Sequence, residues 1–262
     1  MHLAETGSTN TLAAAEAARR WSPGHAEPIV VSADRQTAGR GRDGRSWASP
    51  IGGAYLSVAY PWPRAKIDRA AMAPLAAALA IRAAVLDITD LAGDRLRIKW
   101  PNDLLIDDAK AAGVLCERQV MGDAASSDRP ATDRDAVIVG IGVNVRGGVE
   151  SLGPVRVPAT TLELITGHAF DPGVIVDAIV GQLVHRLDRL VRSGWTDDNH
   201  HALNAALAYR DQPVAFVAGG ESRTGTLLGV TPDGRALVRR LEQDQPTPLA
   251  AGDIDRLTPA ET

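Results

Sequence analysis

A single cysteine, Cys116, in 262 residues excludes a disulfide framework and a multi-cysteine metal site. No apolar run approaches the length that spans a bilayer, and the N-terminus, "MHLAETGSTN", lacks a charged region followed by an apolar core. The expectation is a soluble, cytoplasmic protein with no membrane partner. Positive charge is not in excess: the net charge is −4 and the sequence pI about 5.9. Broad nucleic-acid binding normally shows as a basic face, so no nucleic-acid partner is expected. The 45% hydrophobic content of this length can bury a full core and allows one large domain, or one plus a small one.

Against that acidic balance, the stretch Gln36 to Trp47, "QTAGRGRDGRSW", interleaves Arg40, Arg42 and Arg45 with Gly39, Gly41 and Gly44. The glycines fit G-x-G-x-x-G, but a dinucleotide turn needs a helix to start there. Pro50 and Gly52-Gly53 break any such helix, and the next regular pattern is a strand. A kinase loop fails as well, because Ser46 stands where valine is required. What remains is either a solvated basic hairpin loop or a loop that approaches a ligand closely and aims guanidinium forks at carboxylate or phosphate oxygens.

The rest of the chain reads as short strands with interspersed helices. "EPIVVSAD" (27–34) is a buried strand feeding the arginine loop, and "AYLSVAY" (54–60) is a second. Ile67 to Val85 is alanine-rich and helical, with Pro74 marking a kink or a boundary. "LRIKW", "DLLID", "AAGVLCERQV" and "AVIVGIGVNV" are further strands, and the glycines of the last allow close backbone approach. The polar stretch 121–135 reads as an exposed, mobile hairpin connection. Asp171 to Trp195 has Val, Ile and Leu at helical spacing between Pro172 and Gly194, and "DDNHHALNAALAYRD" is another helix. From Gln212 the period switches to short strands, with Pro232-Asp233-Gly234 as a tight turn. The expected boundary separates residues 1–210 from a small β domain at 211–262.

Three more segments carry chemistry. "KWPNDLLI" brings Lys99, Asn102 and Asp103 off the end of a strand within one turn, where Asp103 can bind Mg²⁺ and Lys99 can neutralise phosphate oxygens; an ordinary Asn-Asp turn has the same composition. "DDAKAAGVLCE" places Lys110 beside Ala111, Ala112 and Gly113, small residues that clear space for a ligand carboxylate or simply begin a strand. "TGSTN" puts Ser8, Thr9 and Asn10 where a helix starts, as neutral polar donors and acceptors or as an N-cap.

Taken in order, "GSTN", "QTAGRGRDGRSW", "KWPNDLLI", "KAAGVLCE" and "GIGVNV", followed by a small β tail, resemble the bacterial-type biotin protein ligases over essentially the whole chain. The resemblance implies an α+β fold: a mixed-sheet catalytic domain with helices mainly on one face, then an SH3-like β-barrel. It implies attachment of biotin to a lysine of a biotin carboxyl carrier protein domain, with Mg²⁺, biotin and ATP, through biotinyl-5′-AMP. By resemblance Ser8, Thr9 and Asn10 meet the ureido ring, and Gln36, Arg40, Gly41 and Arg42 close over biotin and its adenylate. Lys110 holds the biotin carboxylate and Gly113 lets its strand pass close to the ligand. Arg42, Arg45, Trp47, Lys99, Asn102 and Asn144 serve the nucleotide. Arg40, Lys99, Asp103 and Lys110 form the catalytic set, with Asp103 the metal ligand and the group that orients or deprotonates the acceptor lysine.

Relatives that also repress transcription carry an N-terminal winged helix, whereas here "TGSTN" begins six residues in, so no repressor role and a monomer or weak homodimer are expected. Asp43 lowers the loop's charge, and "GDIDRL" displaces Arg256 by one position from the family's tail motif, so no C-terminal contact to ATP is carried over. A lipoate or octanoate ligase or transferase of the same fold, and a biotinyl-AMP sensor without transfer activity, are the alternatives.

Overall fold

The structure is a computed structural model that describes residues 1–22, 24–122, 133–152, 157–218, 220–240, 245–251 and 256–260. Most of the polar 121–135 connection, and the side chain of Arg256, lie outside the described residues. Seven strands form the main sheet: β1 (His2–Thr6), β2 (Ile29–Gln36), β3 (Ala54–Pro63), β4 (Leu96–Lys99), β5 (Asp103–Ile106), β6 (Ala109–Gln119) and β7 (Arg134–Val143). Their order is β1-β2-β3-β7-β6-β5-β4. β1 runs parallel to β2 and the other neighbours are antiparallel, so the sheet is mixed.

Strand alternation divides the central strands between two faces. Leu56, Val58, Val137, Val139, Ile141 and Val143 are buried in the larger core. That face is covered by α2 (Ala73–Ile88) and α4 (Pro172–Ser193), which pack on each other. In α4, Ile175, Ile179, Leu183, Leu187 and Leu190 form one buried stripe at helical spacing. Asp171 caps its start by accepting from Gly173 N at 2.8 Å, and Gly194 ends it at φ 78°. The helix expected over 67–85 splits at Pro74: Arg64–Met72 is 3-10, and α2 starts at Ala73 with the proline in its first turn, where the missing N–H is harmless. By length and composition alone, Arg64–Ile88 is apolar enough to cross a bilayer, which corrects the expectation that no run qualifies. Ala73 to Ala80 are buried against the sheet and α4 apart from Pro74, so this is a core helix.

On the opposite face α1 (Thr9–Arg20) lays Ala13 and Ala17 on Val31, Ala59 and Ile138. It covers only part of the sheet, and the remaining surface carries the polar residues of interest. Two shorter helices follow in the chain around α4, α3 (Leu162–Thr166) and α5 (Asp197–Ala205).

The C-terminal strands β8 (Pro213–Ala218), β9 (Glu221–Val230), β10 (Ala236–Arg239), β11 (Thr247–Leu249) and β12 (Arg256–Pro259) form an antiparallel sheet of order β11-β10-β9-β8-β12. Among the described residues this sheet is open, without the pairing of β11 to β12 that would close an SH3-like barrel. Its Val214, Phe216, Leu227 and Val238 join the same apolar cluster as α2 and α4. The edge strand β4 is protected by main-chain bonds in which Ile98 N donates to Ala206 O and Ala208 N donates to Ile98 O, and Trp100 Nε1 donates to Gly234 O at 2.9 Å.

Candidate active site

The floor of the site is a set of cross-strand rows. Tyr55, Gly142 and Gly113 lie side by side on β3, β7 and β6, and Asp103 continues that row onto β5. Two residues further along, about 7 Å at the rise of a strand, Ser57, Gly140 and Leu115 form the next row. The glycines are occupied from above. A Cβ at Gly142 would lie 2.4 Å from Trp47 Nε1, and one at Gly113 would lie 2.9 Å from the same ring. A Cβ at Gly140 would lie 1.9 Å from Asn10 Oδ1. Close backbone approach, expected for "GIGVNV", thus admits Trp47 and Asn10.

Lys110 is brought to this face by an irregularity in β6. Leu104 opposes Ala112 while Leu105 opposes Lys110, so Ala111 is an extra residue and the alternation slips by one. Lys110 then shares the face of Gly113, with its Cε 3.3 Å from where a Cβ of Gly113 would be. Its ammonium stands 2.7 Å from Asp103 Oδ1 and 5.0 Å from the centre of the Trp47 ring. Cation, carboxylate and indole form one compact group, each side chain largely withdrawn from water. Asp103 pairs in register with Lys99 across the Trp100-Pro101-Asn102 turn, whose Trp100-Pro101 bond is cis. Asn102 is fixed by donating from Nδ2 to Val114 O at 2.7 Å. Asn144 is buried and donates to Thr160 O at 3.1 Å and Lys110 O at 3.3 Å, so its amide holds the backbone of the strand bearing Lys110.

Ser8, Thr9 and Asn10 are all buried at the start of α1. Ser8 occupies the N-cap position, yet its side chain makes no capping bond. Thr9 donates through N and Oγ1 to Gln36 Oε1, at 2.8 and 3.1 Å. Gln36 Nε2 in turn donates to Ser49 Oγ at 2.9 Å. Ser57, fully buried, bonds Thr9 Oγ1 at 2.8 Å and Asn10 Oδ1 at 2.6 Å. Asn10 Nδ2 donates to Glu117 Oε2 at 2.8 Å. Sequence reasoning did not single out Ser57 or Glu117. A serine among apolar residues and a carboxylate closing "KAAGVLCE" were visible signals, but neither has a partner nearby in sequence.

The arginine stretch is a small hairpin: Trp47 N bonds Gly39 O at 2.9 Å and Gly41 N bonds Arg45 O at 2.6 Å. Gly39 has no room for a Cβ, which would meet Trp47 O at 2.4 Å. The three arginines differ in partner. Arg40 pairs with Glu117 at 2.5 Å, and Arg45 with Asp43 at 2.9 Å, both pairs partly exposed. Among the described residues, Arg42 donates to neutral acceptors, Asn102 Oδ1 at 3.3 Å and Ala251 O at 2.9 Å. It therefore ties the hairpin to the β4-β5 turn and to the segment after β11. Gly41 lines a cleft of about 220 Å³ with the arginines, Leu115 and Glu117. Arg45 is exposed on the hairpin.

Burial pushes the Cys116 thiol well above its usual range, with Glu117 adding to the shift, and the side chain packs against the larger core on the face away from this cleft, so it is not a thiolate nucleophile of the site. Among the described residues no group of three His, Cys, Asp or Glu side chains could hold a metal. One carboxylate, Asp103, with Asn102 beside it, fits Mg²⁺ carried in on nucleotide phosphates, since that ion commonly takes one or two carboxylates plus phosphate oxygens.

Comparison with known proteins decides between the readings that this geometry leaves. Residues 5–127 match the model of the biotin/lipoate A/B protein ligase family. The biotin-[acetyl-CoA-carboxylase] ligase of Paracoccus denitrificans is 32% identical over 250 residues, 95% of this chain and 97% of that protein. The chain belongs to the biotin protein ligase family. The corresponding ligase of Mycobacterium tuberculosis is 31% identical over 241 residues, 89% of this chain and 80% of its own length. A solved biotin protein ligase from Aquifex aeolicus, in complex with biotin and ATP, superposes with a TM-score of 0.75 at 27% identity and covers 99% of this chain and 98% of its own. The mixed main sheet with its helices is thus the fold of this family.

Proposed function

We propose that this protein attaches biotin to a lysine of a biotin carboxyl carrier protein domain, in two steps through biotinyl-5′-AMP. The observation that carries the reading is the juxtaposition across two sheet rows: neutral polar groups of Thr9, Asn10 and Gln36 on one side, and the Lys110-Asp103 pair under Trp47 on the other. The first set suits a ureido ring, and the second suits the carboxylate end of the same molecule.

In the first step the biotin carboxylate forms a bond to the α-phosphorus of ATP and pyrophosphate leaves. Two anions must approach, so Lys110 and Arg42 supply the charge that offsets their repulsion and hold them in line. Among the described residues, its partners Asn102 Oδ1 and Ala251 O are neutral, which supports Arg42 in this role. Asp103 would hold Mg²⁺ carried in with ATP, which would add positive charge at the phosphates. In the second step the acceptor lysine, as a free amine, attacks the biotinyl carbonyl and AMP departs. Asp103, beside the β4-β5 turn, takes the proton from that lysine's ammonium before the attack, which is what leaves it a free amine. Trp47 walls the site against water, and Ser8, Gly41 and Gly113 shape the approach to it. Arg45, Asn102 and Asn144 serve the nucleotide side. We also read residues 1–210 as the catalytic unit and 211–262 as an SH3-like unit, supported by the separate five-stranded sheet.

The test is incubation with biotin, ATP and a carrier domain, followed by pyrophosphate release and streptavidin blotting, with lipoate and octanoate in place of biotin as controls. Biotin-dependent release and labelling of the carrier are expected. Equal release with lipoate, or adenylation without transfer, overturns the reading.

A further inference from the structure

Glu117 is an acidic side chain in a cleft whose other charged lining is mainly arginine, and the two-step chemistry above gives it no part. It stands on β6 opposite Ile138 of β7, one row beyond Leu115 and Gly140. A single oxygen, Oε2, accepts from Asn10 Nδ2 at 2.8 Å and from Arg40 Nη2 at 2.5 Å. Those partners come from separate parts of the chain, the start of α1 and the arginine hairpin.

The consequence for Asn10 is orientation. A carboxamide can be turned end for end with little change of shape, and its hydrogen bonds decide which end is the donor. Glu117 accepts only, so it requires the NH₂ end, while Ser57 donates to Oδ1 at 2.6 Å on the opposite side. Reversal would place two oxygens against each other at Glu117. For Arg40 the consequence is docking. The hairpin has three glycines and few apolar anchors, and the bond to Glu117 is one of its side-chain ties to the sheet.

We propose that Glu117 is a positioning residue that joins recognition to loop closure: one carboxylate fixes the amide of Asn10 and docks Arg40, so that the α1 end of the site and the hairpin meet substrate in one arrangement. The pairing also offsets the charge of Arg40. The activity part of this inference rests on the biotin reading; the docking part does not.

The experiment compares wild type with Glu117→Ala and Glu117→Gln. Trypsin cleavage after Arg40 is followed without ligand, and biotin KM and kcat are measured by pyrophosphate release. Glu117→Ala should speed cleavage several-fold and raise biotin KM about tenfold, the loss of a charge-assisted hydrogen bond, with kcat changed much less. Glu117→Gln can still accept from Asn10, so its KM should rise less, while its cleavage should match the alanine variant because the charge facing Arg40 is gone. A merely structural role would lower Tm without this split. If Glu117→Ala is poorly folded, Glu117→Gln carries the test, and wild-type cleavage of that variant overturns the docking. Faster cleavage with unchanged biotin KM overturns the link to recognition. Wild type that releases no pyrophosphate with biotin sinks the biotin reading instead, and the ligand-free cleavage rates still decide the docking.

Discussion

Gly140→Ala is the sharpest probe of the site, because its effect follows from a single distance. The added Cβ would lie 1.9 Å from Asn10 Oδ1, 2.7 Å from its Cγ and 2.9 Å from Nδ2, so the whole amide must move by about 1 Å or more to reach ordinary contact. Asn10 is only 5% exposed and cannot swing into solvent. Displacing it weakens the bond from Ser57, worth about 1 kcal/mol, and the bond to the Glu117 carboxylate, worth about 2 kcal/mol. Backbone strain from overpacking adds about 1 kcal/mol or more. If both bonds are lost, about 4 kcal/mol is expected, shared between folding stability and biotin binding; the whole of it in binding would be about 1,000-fold in KM. Gly181→Ala is the control, since nothing lies within 4 Å of a Cβ there and the residue is inside α4. That change should raise stability by about 0.5–1 kcal/mol and leave KM alone. Thermal melts and biotin titrations of both variants make the measurement. A Gly140→Ala protein with wild-type Tm and wild-type KM would refute the reasoning that Asn10 is locked against the sheet.

Lys110→Ala should raise biotin KM by about tenfold or more through the lost charge-assisted contact, and lower Tm as well because Asp103, 19% exposed, loses its ion-pair partner; unchanged pyrophosphate release at low biotin would remove Lys110 from the site. Arg42→Gly severs the ties to Asn102 and Ala251, and should make biotinyl-AMP more slowly while releasing what it makes. Labelling of bystander albumin no greater than with wild type would argue against that latch. Asp135 is fully buried; burial raises its pKa, but bonds from Arg64, Arg118 and Met121 N outweigh this and hold it below the ordinary 3.8. A folded-state pKa below the unfolded one means stability present above about pH 4 and lost as the pH falls through the depressed value. Asp135→Asn should therefore lose about 3 kcal/mol at neutral pH and flatten the acid side of the stability curve, and an unaltered acid unfolding midpoint would count against the pairing.

Much of the local structure is written in short stretches. Asp171, Pro172 and Gly194 bracket α4, Pro74 marks where α2 can begin, and the β-branched run at Ile29 to Val31 makes a strand. These rest on contacts within a few residues, which a linear pattern records. The motifs that carry the family likeness are local too, which is why Lys110, Asp103 and the arginine hairpin could be named in advance. β1 was not legible, because its residues are mostly exposed and its single neighbour holds it by main-chain bonds that any sequence can make. Alternation would also have put Lys110 on the wrong face; the extra residue at Ala111 that corrects it depends on pairing with β5.

What the tertiary structure alone decided is who faces whom. Placing β7 between β3 and β6 sets Ser57 beside Gly140 and Tyr55 beside Gly142, although 83 and 87 positions of chain separate them. Asn10 and Arg40 reach Glu117 from 107 and 77 residues away. Strand periodicity fixes which face a side chain takes and says nothing about which strand lies next to it. That choice belongs to the packing of α2 and α4 under the sheet, and it is what turns scattered glycines into seats for Trp47 and Asn10.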